Sequence, residues 1–380
     1  MAATSFELAA PGRVVFGAGV SMQAASAVAA LGAKRALVVG GKSAERSLGL
    51  RKRLSIASVV HSIPGEPTLA MVEEGRGLAR EERCDVVIAF GGGSAIDAGK
   101  AIAALAGNEG ELSDYMEIVG RAQPLPRPGL PCIAIPTTAG TGAEVTKNSV
   151  LTAPEAKVKA SLRSPHLLPV LALVDPDLLD GTPASLTAVT GIDALSHLLE
   201  SYVSIRANPF TLALGREGMV RIARSLRDAF EHGLVAERRE DLAMASLFGG
   251  LCLANSGLGA VHGFAAPLGG MWKAPHGAVC AALLPAVMGT NIAALAARAP
   301  QAPALFRYRE LDGILAAGAE ASAWVAELTA ALGIPRLSSF GMGAGDIPLL
   351  VEKARAASSM RGNPIALTDE ELTAIACESM

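Results

Sequence analysis

Aromatic side chains are scarce, with nine Phe, three Tyr and two Trp in 380 residues. Charge is thin as well, at 18%, and nearly balanced: 33 Lys and Arg against 36 Asp and Glu give a formal net charge of −3. No long basic or acidic run occurs, which argues against nucleic acid or an anionic membrane surface as a partner. The five cysteines (Cys84, Cys132, Cys252, Cys280, Cys377) are odd in number, scattered and never in C-x-x-C spacing. They read as buried small hydrophobes rather than disulfides or metal ligands, in a reducing compartment with the cytoplasm as the natural address. No apolar stretch of the ~18 residues needed to span a bilayer stands out. No secretory signal opens the chain, since Glu7 and Arg13 flank only a short mixed segment.

What is present is an apolar, Ala- and Gly-rich chain, 51% hydrophobic, as expected of a tightly packed soluble enzyme long enough for two domains. The two halves have different patterns. Short β-branched runs at Arg35–Val39, Ala57–Ile63, Asp85–Phe90, Cys132–Ile135 and Leu171–Val174 read as buried strands. Helical spacing fills Ser43–Leu54, Thr68–Glu82 and Ala95–Ala106. Such alternation predicts a mostly parallel sheet with helices on both faces. From about Asp180 the strand signals stop and Ala/Leu-rich helical stretches take over. The turn-rich DPDLLDGTP, Asp175 to Pro183, is the expected boundary. The expected architecture is an α/β dinucleotide-binding domain over 1–180 and an all-helical metal-binding domain over 181–380.

Two turns in the first half suit a nucleotide. The strand DVVIAF runs into Gly91-Gly92-Gly93-Ser94 and then a helix. Glycines let backbone approach a phosphate, and the N–H groups of the helix start favour an anion. Asp97 is placed to meet a ribose or a reacting group. After strand CIAI comes Pro136-Thr137-Thr138-Ala139-Gly140-Thr141, whose hydroxyls could line the cofactor; a capping box from Thr141 to Glu144 is the alternative. Beyond Val39 the chain reads Gly40-Gly41-Lys42-Ser43, with no acid for a ribose 2′-OH and with Lys42 and Arg46 close by. NADPH is therefore expected to be tolerated as well as NADH.

The second half carries a metal-binding pattern. Asp193 and His197 are four apart, so on a helix they project from one face. His262 and His276 are fourteen apart, roughly 21 Å along a straight helix, and can share an ion only if the chain breaks between them. Gly269, Gly270 and Pro275 provide that break. One carboxylate and three imidazoles suit a divalent transition metal such as iron or zinc. His61, His166 and His232 read as ordinary structural or surface residues. Trp272 and Lys273, beside His276, could line a substrate pocket.

In order and spacing, GGGSAIDAGKA, IPTTAGTGAEVT, ALVDPDL, TGIDALSHLLESYVS, HGFAAPLGGMWKAPHGAVCAALLP and SSMRGNPIALTDEEL resemble the iron-containing (group III) alcohol dehydrogenases, over nearly the whole chain. The resemblance implies that Asp193, His197, His262 and His276 hold the catalytic metal, Fe²⁺ by family habit and Zn²⁺ in some members. It implies that Gly92, Gly93 and Ser94 bind the pyrophosphate of NAD(P), with Asp97, Thr137, Thr138 and Thr141 along the cofactor and Lys159 near the nicotinamide end. Gly41 stands where the family commonly has its acid, and Ala266 where many members have a further His that helps relay the proton. Protons are then expected to leave through water or cofactor hydroxyls. The implied reaction is hydride transfer between a nicotinamide and a primary alcohol or aldehyde, in a homodimer. The alternatives are a specialised reductase of maleylacetate reductase or glycerol dehydrogenase type, or a dehydroquinate-synthase-like lyase.

Overall fold

A computed structural model describes residues 5–272 and 274–380, with Ala44 described by its backbone only. The strands are β1 (Val14–Phe16), β2 (Arg35–Gly40), β3 (Ala57–Ser62), β4 (Val86–Gly91), β5 (Cys132–Pro136), β6 (Asn148–Ala153), β7 (Val158–Arg163) and β8 (Leu171–Val174). Between them lie α1 (Ala24–Ala30), α2 (Ala44–Arg53), α3 (Leu69–Glu81), α4 (Gly93–Ala106) and the single turn α5 (Leu112–Tyr115). Six strands form one parallel sheet in the order β1-β8-β5-β4-β2-β3.

The strand pattern follows from burial on both faces. Leu37, Val39, Val87 and Ala89 pack with Val72 of α3 and Ile102 of α4. The alternate residues Ala36, Val38, Val86 and Ile88 pack with Val28 of α1 and Leu50 of α2. Helices on each face leave the central strands continuously apolar, as a buried parallel sheet requires. Thr68 caps α3 by accepting from the Met71 N–H at 3.2 Å, and Ser43 caps α2 in the same way. Three strands escape the sequence pattern. β1 has only three residues, and β6 and β7 form a separate antiparallel hairpin of mixed polar composition.

Beyond Val174 every regular element among the described residues is helical. These are α6 (Ala184–Val203), α7 (Pro209–His232), α8 (Ala236–Ser256), α9 (Ala260–Met271), α10 (His276–Arg298), α11 (Pro303–Leu315), α12 (Ala321–Ala331), α13 (Ile347–Ala356) and α14 (Asp369–Glu378). The chain divides into two compact units. One comprises Ala9–Thr138 and Gly142–Asp180; the other comprises Gly181–Met380, the segment Ala139–Thr141 and the N-terminal stretch ending at Leu8.

Two expectations need correction. α10 is long and apolar enough to cross a membrane, with mean hydropathy 1.8, although Pro285 and several small residues disguise it in the sequence. It is 67% buried in the apolar window and packs against α6, α9 and α12, so its apolar surface serves the core of the helical unit. Between His262 and His276, α9 ends at Met271 and Pro275 is the N-cap of α10, whereas Gly269 and Gly270 lie inside α9.

Candidate active site

In the α/β unit the strand order reverses between β2 and β4, because the chain passes from β2 outward to β3 and returns on the other side of β2. The carboxyl ends of strands at such a point are where an open α/β sheet binds ligands. Gly91 there has φ +155, and a Cβ on it would lie 2.8 Å from the Ala95 Cβ and 3.2 Å from the Gly41 nitrogen. Only glycine fits. Gly92 is the N-cap of α4 and offers no side-chain cap. The N–H groups of the first turn, including Gly93 and Ser94, are therefore left for an external acceptor. A Cβ on Gly92 would meet Thr138 Oγ1 at 3.3 Å, and the Thr137 N–H donates to the Gly91 carbonyl at 2.9 Å. Gly41, Gly91 to Ser94, Thr137 and Thr138 thus converge on one edge.

Other expected cofactor residues are placed differently. Asp97 Oδ2 accepts from the Val150 N–H at 3.0 Å and Oδ1 faces Lys100 Nζ at 3.2 Å, tying α4 to β6. Lys159, on β7, pairs with Glu66 at 2.9 Å. Thr141 belongs to the segment grouped with the helical unit. The 3₁₀ turn Ala143–Val145 starts from Gly142, at φ 58, which offers no side-chain cap. Glu144 in that turn is 3% exposed, and burial pushes its carboxyl up to about 7.

In the helical unit, α6 turns Asp193, His197 and Glu200 to one side, α9 supplies His262 and α10 supplies His276 as its first residue. Asp193 Oδ1 lies 3.6 Å from His262 Nε2 and 3.7 Å from His276 Nε2. Asp193 is 2% exposed, and its Oδ1 has no hydrogen-bond donor among the described residues. The same holds for His197 Nδ1. The His197 ring stacks on His262 with centroids 4.6 Å apart. Cys280, one turn after His276, sets its Sγ 3.7 Å from both His262 Nε2 and His276 Nε2. Ligating atoms of Asp193, His262, His276 and Cys280 all lie within 4.8 Å of one another. The His276 side chain is 33% exposed, so the cluster is open on that side.

The electrostatics suit a cation. Burial alone would raise the Asp193 carboxyl, but the His197, His276 and His262 imidazoles outweigh it and hold it below the usual carboxylate range. Burial pushes the His197 imidazole down to about 4, favouring the neutral ring that a metal needs. Glu200, 4% exposed, accepts from His262 Nδ1 at 2.7 Å and from the Val261 N–H at 2.7 Å. A carboxylate can only accept, so the His262 proton sits on Nδ1 and the Nε2 lone pair faces the cluster.

Glu200 and Cys280 were missing from the expected set. Their spacing was available: Glu200 follows Asp193 by seven and Cys280 follows His276 by four, each on the same helix face. The expectation of five buried cysteines is corrected at Cys377, which is exposed; Cys84, Cys132, Cys252 and Cys280 are buried, and Cys280 lies beside the histidines. Trp272 ends α9 half-buried, Ala266 lies one turn after His262, and Lys273 lies outside the described residues. His61 Nε2 donates to the Met71 carbonyl at 2.8 Å, and His232 is exposed.

Comparison with known proteins gives the family. A model of the iron-containing alcohol dehydrogenases matches residues 11–176, and one of the C-terminal region of the Fe-containing alcohol dehydrogenase family matches residues 187–380. The chain belongs to the iron-containing alcohol dehydrogenase family. It is 36% identical over 357 residues to 1,3-propanediol dehydrogenase of Klebsiella pneumoniae, covering 91% of each chain. Among solved structures, a 1,3-propanediol oxidoreductase superimposes with a TM-score of 0.89 at 35% identity, over 99% of this chain and 100% of that one. Sulfoacetaldehyde reductase from Bifidobacterium kashiwanohense, in complex with NAD⁺, gives 0.89 at 26% identity over 99% of each. This family member is an alcohol/aldehyde oxidoreductase, built as a parallel six-stranded α/β unit and a helical unit.

Proposed function

We propose that the protein is a metal-dependent, NAD(P)-linked oxidoreductase that moves a hydride between a nicotinamide and a primary alcohol or aldehyde carbon. The observation that carries this reading is the buried, donor-less Asp193 Oδ1, held 3.6 and 3.7 Å from two imidazole nitrogens. Ligand bonds of about 2.0–2.2 Å around a four-coordinate ion place neighbouring donors ~3.4 Å apart, close to this spacing. A divalent ion held there supplies Lewis-acid polarisation of the substrate oxygen.

The remaining work falls to the chain itself. Asp193, His197, His262 and His276 are the residues that would hold the ion, and two of them, Asp193 and His197, carry a buried atom with no hydrogen-bond partner among the described residues. Glu200 fixes the His262 tautomer. Gly91 to Ser94 cradle the pyrophosphate, and Thr137 and Thr138 border it. With Ala266 one turn from His262, α9 has no imidazole at that place to carry a proton, and water or cofactor hydroxyls take the role. Around the nucleotide, Gly41 brings no acid and Lys42 is exposed, which supports acceptance of NADPH. Arg46 contributes less, since its guanidinium donates to the Leu178 and Asp180 carbonyls at 3.4 and 3.2 Å. A homodimer working in the cytoplasm completes the proposal, on the family resemblance and the unpaired cysteines.

The test is a panel of alcohols and aldehydes with NADH and NADPH, run on metal-stripped protein reconstituted with Fe²⁺ or Zn²⁺. Turnover restored by the metal is the expected result. Absence of metal-dependent turnover with every pair would overturn the reading.

A further inference from the structure

The C-terminal motif SSMRGNPIALTDEEL plays no part in the site described above, yet one of its side chains ends at the helix that carries His262. α9 starts without a side-chain cap of its own, because its N-cap is Gly259. Helix starts leave their first N–H groups without intrahelical acceptors, and His262 is only the third residue of α9. Two distant side chains take the place of the cap. The Ala260 N–H donates to Asn363 Oδ1 at 3.1 Å, across 103 positions of sequence, and the Val261 N–H donates to Glu200 Oε1 at 2.7 Å. Gly259 makes the room for both: a Cβ there would stand 2.8 Å from Asn363 Oδ1 and 3.0 Å from Glu200 Oε1.

Asn363 is itself held on every side. It is 6% exposed, and its amide exchanges two hydrogen bonds with Asn291 of α10. Nδ2 donates to Asn291 Oδ1 at 2.7 Å, and Oδ1 accepts from Asn291 Nδ2 at 3.2 Å. Nδ2 also donates to the Ile365 carbonyl at 2.8 Å. With two bonds accepted and two donated, the amide is saturated and fits only one way round. The preceding Gly362 presses against the chain just before α9, where a Cβ would collide with the Leu258 carbonyl oxygen.

We propose that Asn363 is a positioning residue for the oxidoreductase chemistry: it caps α9 from the far end of the chain and so fixes the height at which His262 faces its partners. This rests on the metal-dependent reading above and leaves the set Asp193, His197, His262 and His276 unchanged. Glu200 sets the tautomer of the His262 ring, and Asn363 sets the backbone that carries it. α6, α10 and the C-terminal turn therefore meet at the start of α9 and define it before any ion binds.

Two variants of the full chain separate positioning from general support. Asn363→Ala removes the cap on Ala260. Asn291→Ala breaks the same buried amide pair but leaves Asn363 Oδ1 on Ala260 and Nδ2 on Ile365. Zn²⁺ affinity is read by competition with a chelator, and amide hydrogen exchange over residues 258–264 is read by mass spectrometry on the metal-free protein. Both variants are expected to lower the urea midpoint. Only Asn363→Ala is expected to speed exchange at the start of α9 and to weaken Zn²⁺ binding by about ten-fold, the lower end of what loss of a ligand-orienting partner brings. Equal effects on affinity and exchange in the two variants, or none in Asn363→Ala, overturn the proposal. Should Asn363→Ala not fold, the metal-free wild type still decides: protection at 258–264 matching that of α6 is the expected result, and exchange as fast as in exposed loops overturns it. If the folded wild type binds no Zn²⁺, the metal-dependent reading falls, and exchange alone decides whether Asn363 holds the start of α9.

Discussion

Two buried polar clusters, one in each unit, are built on opposite principles. In the α/β unit the Lys100 ammonium is fully enclosed and satisfied: it donates to the carbonyls of Ala143, Thr146 and Asn148 at 2.5–3.3 Å and to Thr146 Oγ1 at 2.9 Å, and it stands 3.2 Å from Asp97 Oδ1, an oxygen that has this ion pair in place of a hydrogen bond. In the helical unit Asp193 Oδ1 and His197 Nδ1 are equally buried and find no hydrogen-bond partner among the described residues. A saturated buried charge fastens a fold. An unsaturated one costs stability in the protein alone and is retained where something else completes it. The first cluster therefore reads as architecture and the second as a site.

If that contrast is right, removing a member of each cluster has a different consequence. Asp193→Ala takes away the central anion of the helical cluster, and it is expected to abolish stoichiometric metal binding and lower kcat/KM by at least ~10³-fold, with several kcal/mol of Lewis-acid stabilisation lost. Metal analysis beside steady-state kinetics checks it. The fold should survive, because the variant also removes a buried group without a donor. Lys100→Met should do the reverse. Stripping the cation leaves Asp97 and several carbonyls unpaired in the interior, at a cost of about 3–5 kcal/mol, read as a lowered urea midpoint. Equal loss of stability in both variants would erase the distinction.

Glu144 sharpens the comparison from within the α/β unit. Burial outweighs the attraction of Lys100 and raises its carboxyl from 4.5 to about 7. A raised acid favours its protonated form in the fold, so the native state is penalised progressively as pH rises from 4.5 through 7 and fully above that. The shift corresponds to about 3 kcal/mol. Glu144→Gln is expected to raise stability at pH 8 by up to that amount and to leave it nearly unchanged at pH 4. Urea denaturation at the two values measures it, and an equal effect at both would show that Glu144 is not held neutral.

The two clusters also differ in how far the sequence exposes them. Asp193, His197, His262 and His276 stand out because imidazoles and carboxylates are rare in a helical, Ala-rich background, and because Pro275 announces the break that lets the last two approach one another. The glycine edge of β4 is legible for a similar reason: three glycines between a buried strand and a helix have few uses. Cys280 and Glu200 stay hidden since each resembles something ordinary. A cysteine among Ala and Leu reads as a small hydrophobe, and a glutamate in a helix reads as solvated, although Glu200 is 4% exposed. Asp97 errs the other way, because its place at a phosphate-type turn suggests a ligand while its bonds to Val150 and Lys100 are decided by β6, a strand whose NSVLTA composition carries no clear alternation.

The smallest expected effect tests whether the helical cluster is organised beyond its donors. Glu200 accepts from His262 Nδ1 at 2.7 Å while its other oxygen accepts from the Val261 N–H, also at 2.7 Å, so one carboxylate sets both the ring and the start of α9. Glu200→Gln keeps the size and one accepting oxygen but replaces the other with an NH₂ group. If the oxygen stays on Val261, the NH₂ faces Nδ1 and turns the tautomer, putting the proton on Nε2 where it blocks the metal. A 10–100-fold weaker metal affinity, measured by competition with a chelator, is expected from loss of such a partner. Under saturating metal, kcat should recover more than it does in Asp193→Ala, because the donor atoms are all still present. Unchanged affinity in Glu200→Gln would show that the packing of α6 against α9, without the carboxylate, suffices to aim His262.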